Sequence, residues 1–209
     1  MLRLYFIRHG ECAGNRNDIF RGRHDFPLNE NGIRQAEALR DELALIRFKR
    51  IYTSPLLRSS QTAEIVAADR HSVEVCEGLN NITLAEWENT AKSVIQKRHP
   101  DLWSLWIGEP EKLHFPGMET LEQVRNRALA ALLDIVEIEK SGVVGIVSHR
   151  AVLKPLFAAM LDIPAPYFWK LHVDNASYSI AEHTPERGFT FTLINQNKHL
   201  DEFVREDLG

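Results

Sequence analysis

The stretch Leu4-Tyr5-Phe6-Ile7-Arg8-His9-Gly10-Glu11-Cys12 decides how the chain is read. A short apolar run closed by a glycine predicts a buried strand. Arg8 and His9 then leave its carboxyl end, the side on which open α/β sheets place their ligands. A guanidinium beside an imidazole at that point suits an anionic ligand.

Outward from that strand, residues 11–31 are rich in Asn, Arg, Gly and Asp without periodicity and read as a loop over the strand end. Ile33, Ala36, Leu39, Leu43 and Ile46 then recur every three or four residues behind a cap at Asn29 or Asn31, predicting a helix over roughly 30–46. Residues 49–53 give a second short strand. Ser54-Pro55 reads as the opening of a second helix reaching about Ala68, with Ser as cap and Pro in the first position. Val73 to Cys76 makes a weak strand. Residues 85–117 hold three of the four tryptophans and read as a helical insertion.

Thr120 and Gln123 form a capping box for a long helix with Leu121, Val124, Ala128, Ala131, Ile135 and Ile138 on one face, ending near Ser141-Gly142. Val143 to Val147 is an unbroken apolar strand. It delivers Ser148-His149 to its carboxyl end, as the first strand delivers Arg8-His9, and a helix follows through Leu161. Residues 175–182 and 189–195 flank Pro185-Glu186-Arg187-Gly188 as a final hairpin. Strands alternating with helices predict an α/β fold. The expected form is a three-layer α/β/α sandwich with a mostly parallel central sheet and an antiparallel edge strand, in a single domain over 1–209.

With 209 residues, 44% hydrophobic and 26% charged, the chain has the composition of one sizeable core. Its 25 basic and 29 acidic residues balance to −4 with no Lys/Arg run, which argues against nucleic acid as a partner. Cys12 and Cys76 lack any disulfide or zinc spacing and read as small core residues. No targeting segment opens the chain and no apolar run is long enough for a membrane span, so a cytoplasmic enzyme is expected, with no membrane partner.

Two histidines released from parallel strand ends are expected to face one another across one pocket, with Arg8 from the first loop and Arg58 from the second helix. Two His and two Arg fit a phosphoryl group. Guanidinium forks take its oxygens in bidentate fashion, and a neutral imidazole nitrogen is a nucleophile near pH 7. Neither a metal nor a cofactor is required. Taken singly, the arginines read as surface ion-pair partners and the histidines as satisfied core residues. Their joint order and spacing carry the functional reading instead.

Arg8-His9-Gly10-Glu11, Asn15, Gly22-Arg23-His24-Asp25-Phe26-Pro27-Leu28, Asn31-Gly32, Tyr52-Thr53-Ser54-Pro55-Leu56-Leu57-Arg58 with Thr62-Ala63, Pro116-Gly117-Met118-Glu119-Thr120 and Val147-Ser148-His149 together resemble the histidine phosphatase superfamily in the family's own order. The resemblance implies a phosphoglycerate mutase-like fold and a phosphomonoester substrate. It implies that His9 attacks phosphorus while Arg8, Arg58, Asn15 and His149 hold the phosphoryl oxygens. It places Gly22 where the loop backbone approaches the phosphate. Where the family often has Gln before that glycine and His-Gly-Gly at the second histidine, this chain has Arg21 and His149-Arg150-Ala151. Arg21 and Arg150 add positive charge, which points to a substrate with an extra anionic group.

The proton donor departs most. Members that cleave alkyl phosphates carry a Glu in a Leu-x-Glu segment shortly before a Gly-x-Trp-x-Gly-like stretch. Aligned on Trp87, this chain has Asn81 at the donor position and Ala85 and Asn89 at the glycines. An amide cannot act as a general acid, a role worth ~10²–10⁴-fold, so the expected enzyme is a weakened or substrate-restricted phosphatase. Glu77, Glu86, Glu88 and Glu119 are the alternative sources of the proton.

The other reading is a non-catalytic or regulatory phosphate-binding subunit paired with an active homologue. A phosphoglycerate mutase is disfavoured because residues 77–92 lack a Glu-Arg-His-Tyr-like segment. The part of the chain around Trp169 and Asp174-Asn175-Ala176-Ser177-Tyr178-Ser179 resembles the bacterial phosphoserine/α-ribazole phosphatase-like branch, with Asn175 and Ser177 structural first and substrate-lining second. The partner expected is a small phosphorylated metabolite. The final hairpin or the segment around Trp169 is the surface on which a homodimer could form.

Overall fold

The computed structural model describes residues 1–202. Strand β1 (Leu2–Arg8) is buried along its length except at Arg3, and its side chains alternate between two clusters. Leu2, Leu4 and Phe6 join one, and Tyr5 and Ile7 the other. A strand apolar on both faces has to lie inside a covered sheet, and β1 does.

After β1 come α1 (Ala13–Arg16), β2 (Ile19–Phe20), α2 (Glu30–Glu42), β3 (Arg50–Thr53), α3 (Leu57–Ala67) and β4 (Val73–Val75). The middle of the chain supplies β5 (Thr90–Ala91), α4 (Lys92–Arg98) and α5 (Pro100–Gly108). The last part runs α6 (Leu121–Glu139), β6 (Gly142–Ser148), α7 (Arg150–Met160), β7 (Tyr178–Thr184) and β8 (Gly188–Gln196).

The main sheet has six strands in the order β4-β3-β6-β1-β7-β8. β4, β3, β6 and β1 are parallel, and β7 and β8 run antiparallel at one edge. Residues of α2 and α3 pack against one face, around Leu39, Ala63 and Val66. Residues of α6 and α7 cover the other, around Val124, Leu132 and Leu156. The expected three-layer sandwich is therefore present, with the two strands of the expected final hairpin as its antiparallel edge.

β6 inserts between β3 and β1, and its carboxyl end is in register with theirs: Ser148 lies beside Arg8, and Val147 beside Thr53. The three strand ends thus meet at one crevice where the helices change face, the place at which such sheets bind ligands.

Several local expectations differ from the structure. α3 starts at Leu57 rather than Pro55: Ser54 Oγ accepts the Leu56 N–H at 3.4 Å but is shared with His149, and Asp25 Oδ1 takes the Leu57 N–H at 2.7 Å. α2 stops at Glu42, short of Ile46. Ile33 and Ile138, read as parts of buried stripes, are 42% and 63% exposed. On α6 the buried face runs through Leu121, Val124, Ala128, Leu132, Ile135 and Glu139, a 3.6-residue stripe that passes beside Ala131 and Ile138. The loop over the strand end is not wholly irregular: α1 and β2 lie within it, and β2 pairs with β5 from the Trp-rich segment. Cys12 is buried as expected, but Cys76 is only half-buried.

Candidate active site

His9 emerges from β1 with its backbone fixed on both sides, its N–H donating to Ser148 O at 3.0 Å and its carbonyl accepting from Ala176 N–H at 3.1 Å. Asn175 Nδ2 also donates to that carbonyl, at 3.0 Å. The ring's Nδ1 is 2.7 Å from Gly10 O. Gly10 can only be glycine, because a Cβ there would stand 2.6 Å from the Gly32 carbonyl oxygen. The His9 ring faces that of His149, with centroids 5.0 Å apart.

His149 caps the start of α7, so the positive end of that helix dipole lies beside both rings. Its Nε2 is 2.7 Å from Ser54 Oγ, while its Nδ1 is buried without a partner among the described residues. Burial is the main cause that pushes both imidazoles well below the ordinary histidine pKa. The cations Arg58, Arg8 and Arg21 act in the same direction. Both rings are therefore neutral at physiological pH.

Arg58 is fully buried in the first turn of α3. Its Nη1 and Nη2 donate to His24 O at 3.0 Å and Gly22 O at 2.9 Å. Burial above all lowers its pKa to about 10, which leaves it a cation at neutral pH. Arg8 is equally buried and donates from Nη1 to Val173 O at 2.8 Å. Asn15, in α1, accepts the Cys12 N–H at Oδ1, 3.1 Å away. Arg21 donates to Gly14 O at 3.0 Å.

Gly22 has φ +48°, and a Cβ there would run into the Glu88 side chain. Its carbonyl takes hydrogen bonds from both Arg58 and Asn81, whose Nδ2 lies 2.7 Å away. Asn81 is held at its backbone as well, its N–H donating to Asn80 Oδ1 and its carbonyl accepting from Arg23 and Arg127. Its Oδ1 is buried with no partner among the described residues.

Of the candidates read from sequence, His9, Arg21, Gly22, Asn81, His149 and Arg150 line one cavity of about 60 Å³. Arg8, Asn15 and Arg58 are buried and do not line it. The remaining wall is mainly apolar, with Phe20, Ile82, Leu84, Met118, Trp106 and Phe168. Arg150 sits over the Trp169 ring at 5.3 Å. Among the described residues no carboxylate lines this cavity. Among them, too, no group of three His, Cys, Asp or Glu is placed to hold a metal.

Glu119 pairs with Arg127 at 2.6 Å, and Glu88 accepts the Leu84 N–H at 2.9 Å. Sequence reasoning missed Ser54, Lys92 and the Phe20 and Phe168 walls. Ser54 was the one with a signal, since it too ends a parallel strand.

A sequence profile described as the histidine phosphatase superfamily (branch 1) matches residues 4–197. The chain belongs to that superfamily. A histidine phosphatase relative, phosphoserine phosphatase 1 of Hydrogenobacter thermophilus, is 32% identical over 207 residues, covering 99% of this chain and 98% of the other. Bacillus stearothermophilus YhfR superposes with a TM-score of 0.92 at 30% identity, over 96% of this chain and all of that one. The α-ribazole phosphatase of Shigella flexneri does so with a TM-score of 0.85 at 26% identity, over 93% of this chain and 96% of that one. With this membership the chain is an enzyme, a phosphomonoester hydrolase of the histidine phosphatase type. No helix of the described residues is long and apolar enough to cross a membrane.

Proposed function

We propose that the chain hydrolyses a small phosphomonoester through a phosphohistidine on His9 Nε2, without a metal. The observation that carries this reading is the 2.7 Å contact between His9 Nδ1 and Gly10 O. A carbonyl only accepts, so Nδ1 holds the ring proton and Nε2 keeps its lone pair for phosphorus. The depressed pKa keeps that lone pair available at neutral pH.

Arg8 and Arg58 neutralise the phosphoryl oxygens, and Asn15 offers an uncharged amide to them. His149 serves as a neutral donor. The Ser54 hydroxyl donates a hydrogen bond to Nε2, which leaves the Nδ1–H for a phosphoryl oxygen. Gly22 lets the loop backbone pass close to the phosphate, and Arg21 and Arg150 favour a substrate with a second anionic group. The relatives named as phosphoserine and α-ribazole phosphatases support a small phosphorylated metabolite as the substrate class. Such metabolites are made and retained in the cytoplasm, where this reading places the enzyme.

With Asn81 in place of an acid, the departing oxygen receives no proton from the cavity wall. Alkyl esters should then be slow, while aryl esters with good leaving groups should be spared by a factor of ~10²–10⁴. The test compares p-nitrophenyl phosphate with an alkyl phosphate in the natural chain and in Asn81→Glu. The substitution should raise alkyl turnover selectively; equal gains on both substrates, or none, would count against the reading. Labelled phosphoenzyme should be trapped at His9 and be absent in His9→Ala.

A further inference from the structure

We propose, on the phosphohistidine reading above, that Asn175 is a positioning residue for the nucleophile. Its amide holds the His9 and Gly10 carbonyls so that the His9 ring keeps its proton on Nδ1 and offers Nε2 to phosphorus. Asn175 is buried and does not line the cavity, so it acts through His9 and not on the substrate.

Asn175 Nδ2 donates to His9 O at 3.0 Å and to Gly10 O at 3.3 Å. Gly10 O is also the atom 2.7 Å from His9 Nδ1. One amide group thus bridges two successive peptide carbonyls, and the second of them is the oxygen that receives the ring proton. Both neighbours are acceptors, so the amide nitrogen and not its oxygen faces them. The first of the two peptides is held at its other end as well, where Gly10 N–H donates to Thr62 Oγ1 at 3.1 Å.

The other half of the same amide argues for this role. Asn175 Oδ1 is buried with no partner among the described residues, a costly state that a leucine of nearly the same shape would avoid. What leucine lacks is the NH₂ group. The carbonyls do not need that group merely to be satisfied, because His9 O also accepts Ala176 N–H at 3.1 Å and Gly10 O accepts His9 Nδ1. The amide therefore contributes geometry.

A neutral imidazole carries its proton on either nitrogen, and the hydrogen bond made by one nitrogen sets the state of the other. With Gly10 O fixed, the proton stays on Nδ1. A carbonyl free to swing away would let it move to Nε2, and a ring protonated there cannot attack. Asn175 is itself anchored through Asp174, whose N–H donates to Asn195 Oδ1 at 2.8 Å and whose carboxylate accepts from Asn195 at 2.9 Å and Asn197 at 2.8 Å. Val173, on the other side of Asp174, gives its carbonyl to Arg8 Nη1. One short strap, residues 173–175, thus orients the nucleophile and the cation beside it.

The experiment compares the natural chain with Asn175→Leu. Single-turnover release of p-nitrophenol from p-nitrophenyl phosphate reads the attack by His9 and should slow by about 10- to 100-fold, as an ångström-scale displacement of a reacting group does. Competitive inhibition by inorganic phosphate reads the cationic cage and should stay as it is. Nitrogen-15 spectra of histidine-labelled protein, with the His9 signals identified by their loss in His9→Gln, should show the Nδ1–H tautomer in the natural chain and a share of Nε2–H in the variant. Should Asn175→Leu not fold, Asn175→Ala is read by the same measurements. An unchanged rate overturns the proposal. So does a slower rate with the Nδ1–H tautomer intact, or one matched by an equal loss of phosphate inhibition, which is what a merely structural role would give. In those cases labelled phosphohistidine in the natural chain leaves the His9 reading standing; its absence there overturns that reading and the role of Asn175 with it.

Discussion

Ala85 and Asn89 have φ values of +47° and +56°, in the left-handed region that glycine enters freely and residues with a Cβ enter at a cost of about 1–2 kcal/mol. These are the two positions at which the family pattern calls for glycine. The turn at residues 85–89 thus follows a path that suits glycine at both positions. Ala85→Gly removes that strain and loses ~0.4–1 kcal/mol to a looser unfolded chain. The net expectation is a gain of about 0.5–1 kcal/mol in urea unfolding, and a loss of stability would contradict it. Asn89 carries less strain, because a short amide side chain tolerates this conformation. On the proposed phosphohistidine reading His9 must be neutral to attack, and its pKa is held well below the usual value by burial and by Arg58, Arg8 and Arg21. The acid limb of kcat/KM for an aryl phosphate should therefore fall below about pH 6.5. A limb centred at or above that value would show that the cavity does not depress the imidazole.

The elements of the fold were legible from sequence where their signals are local and hidden where they depend on a distant partner. Thr120 and Gln123 announce the start of α6, and the structure has the box, with Gln123 N–H donating to Thr120 Oγ1 at 3.2 Å and Thr120 N–H to Gln123 Oε1 at 2.8 Å. Thr120→Ala should cost about 1 kcal/mol in chemical denaturation, and an unchanged midpoint would mean the cap is energetically idle. The ends of β1 and β6 were equally readable, so the meeting of His9 and His149 follows from apolar runs and parallel pairing alone. Ser54 looked like a cap because its use by His149 spans 95 residues of chain. Glu139 sat on a face that periodicity alone would fill with apolar residues. It is buried because Tyr52 Oη at 2.9 Å and Lys49 Nζ at 2.9 Å come to it from β3 and its approach. The pairing of β2 with β5 has no local signal either, since it joins residues 19–20 to 90–91.

Across the whole molecule, the site's electrostatics set the pH dependence of stability. His9 and His149 are held well below the ordinary histidine value, and His71 and His199 are lowered too, in each case with burial as the main cause. Between about pH 6.5 and the lower folded values, the unfolded chain binds these protons and the native chain does not. Stability therefore rises with pH in that window and is lost on acidification. The carboxylates act later with the same sign. Burial alone would raise Asp174, but hydrogen bonds from His172 and Asn195 outweigh it and bring its pKa down to about 2. Glu11, which burial alone would likewise raise, is held below its usual value by hydrogen bonds from Arg16, Asn29 and Asn31. These groups hold their contribution until the pH approaches that of an ordinary carboxylate, about 4. Urea unfolding between pH 7.5 and 5.5 in a phosphate-free buffer isolates the histidines. The midpoint should fall steadily across that interval, and His149→Asn should flatten the dependence by about half a proton on average, roughly 1.4 kcal/mol over the two pH units. A midpoint that is level from 7.5 to 5.5 would mean that the two facing imidazoles take up protons in the folded enzyme as readily as in the unfolded chain, and the neutral pair on which the chemistry depends would not exist.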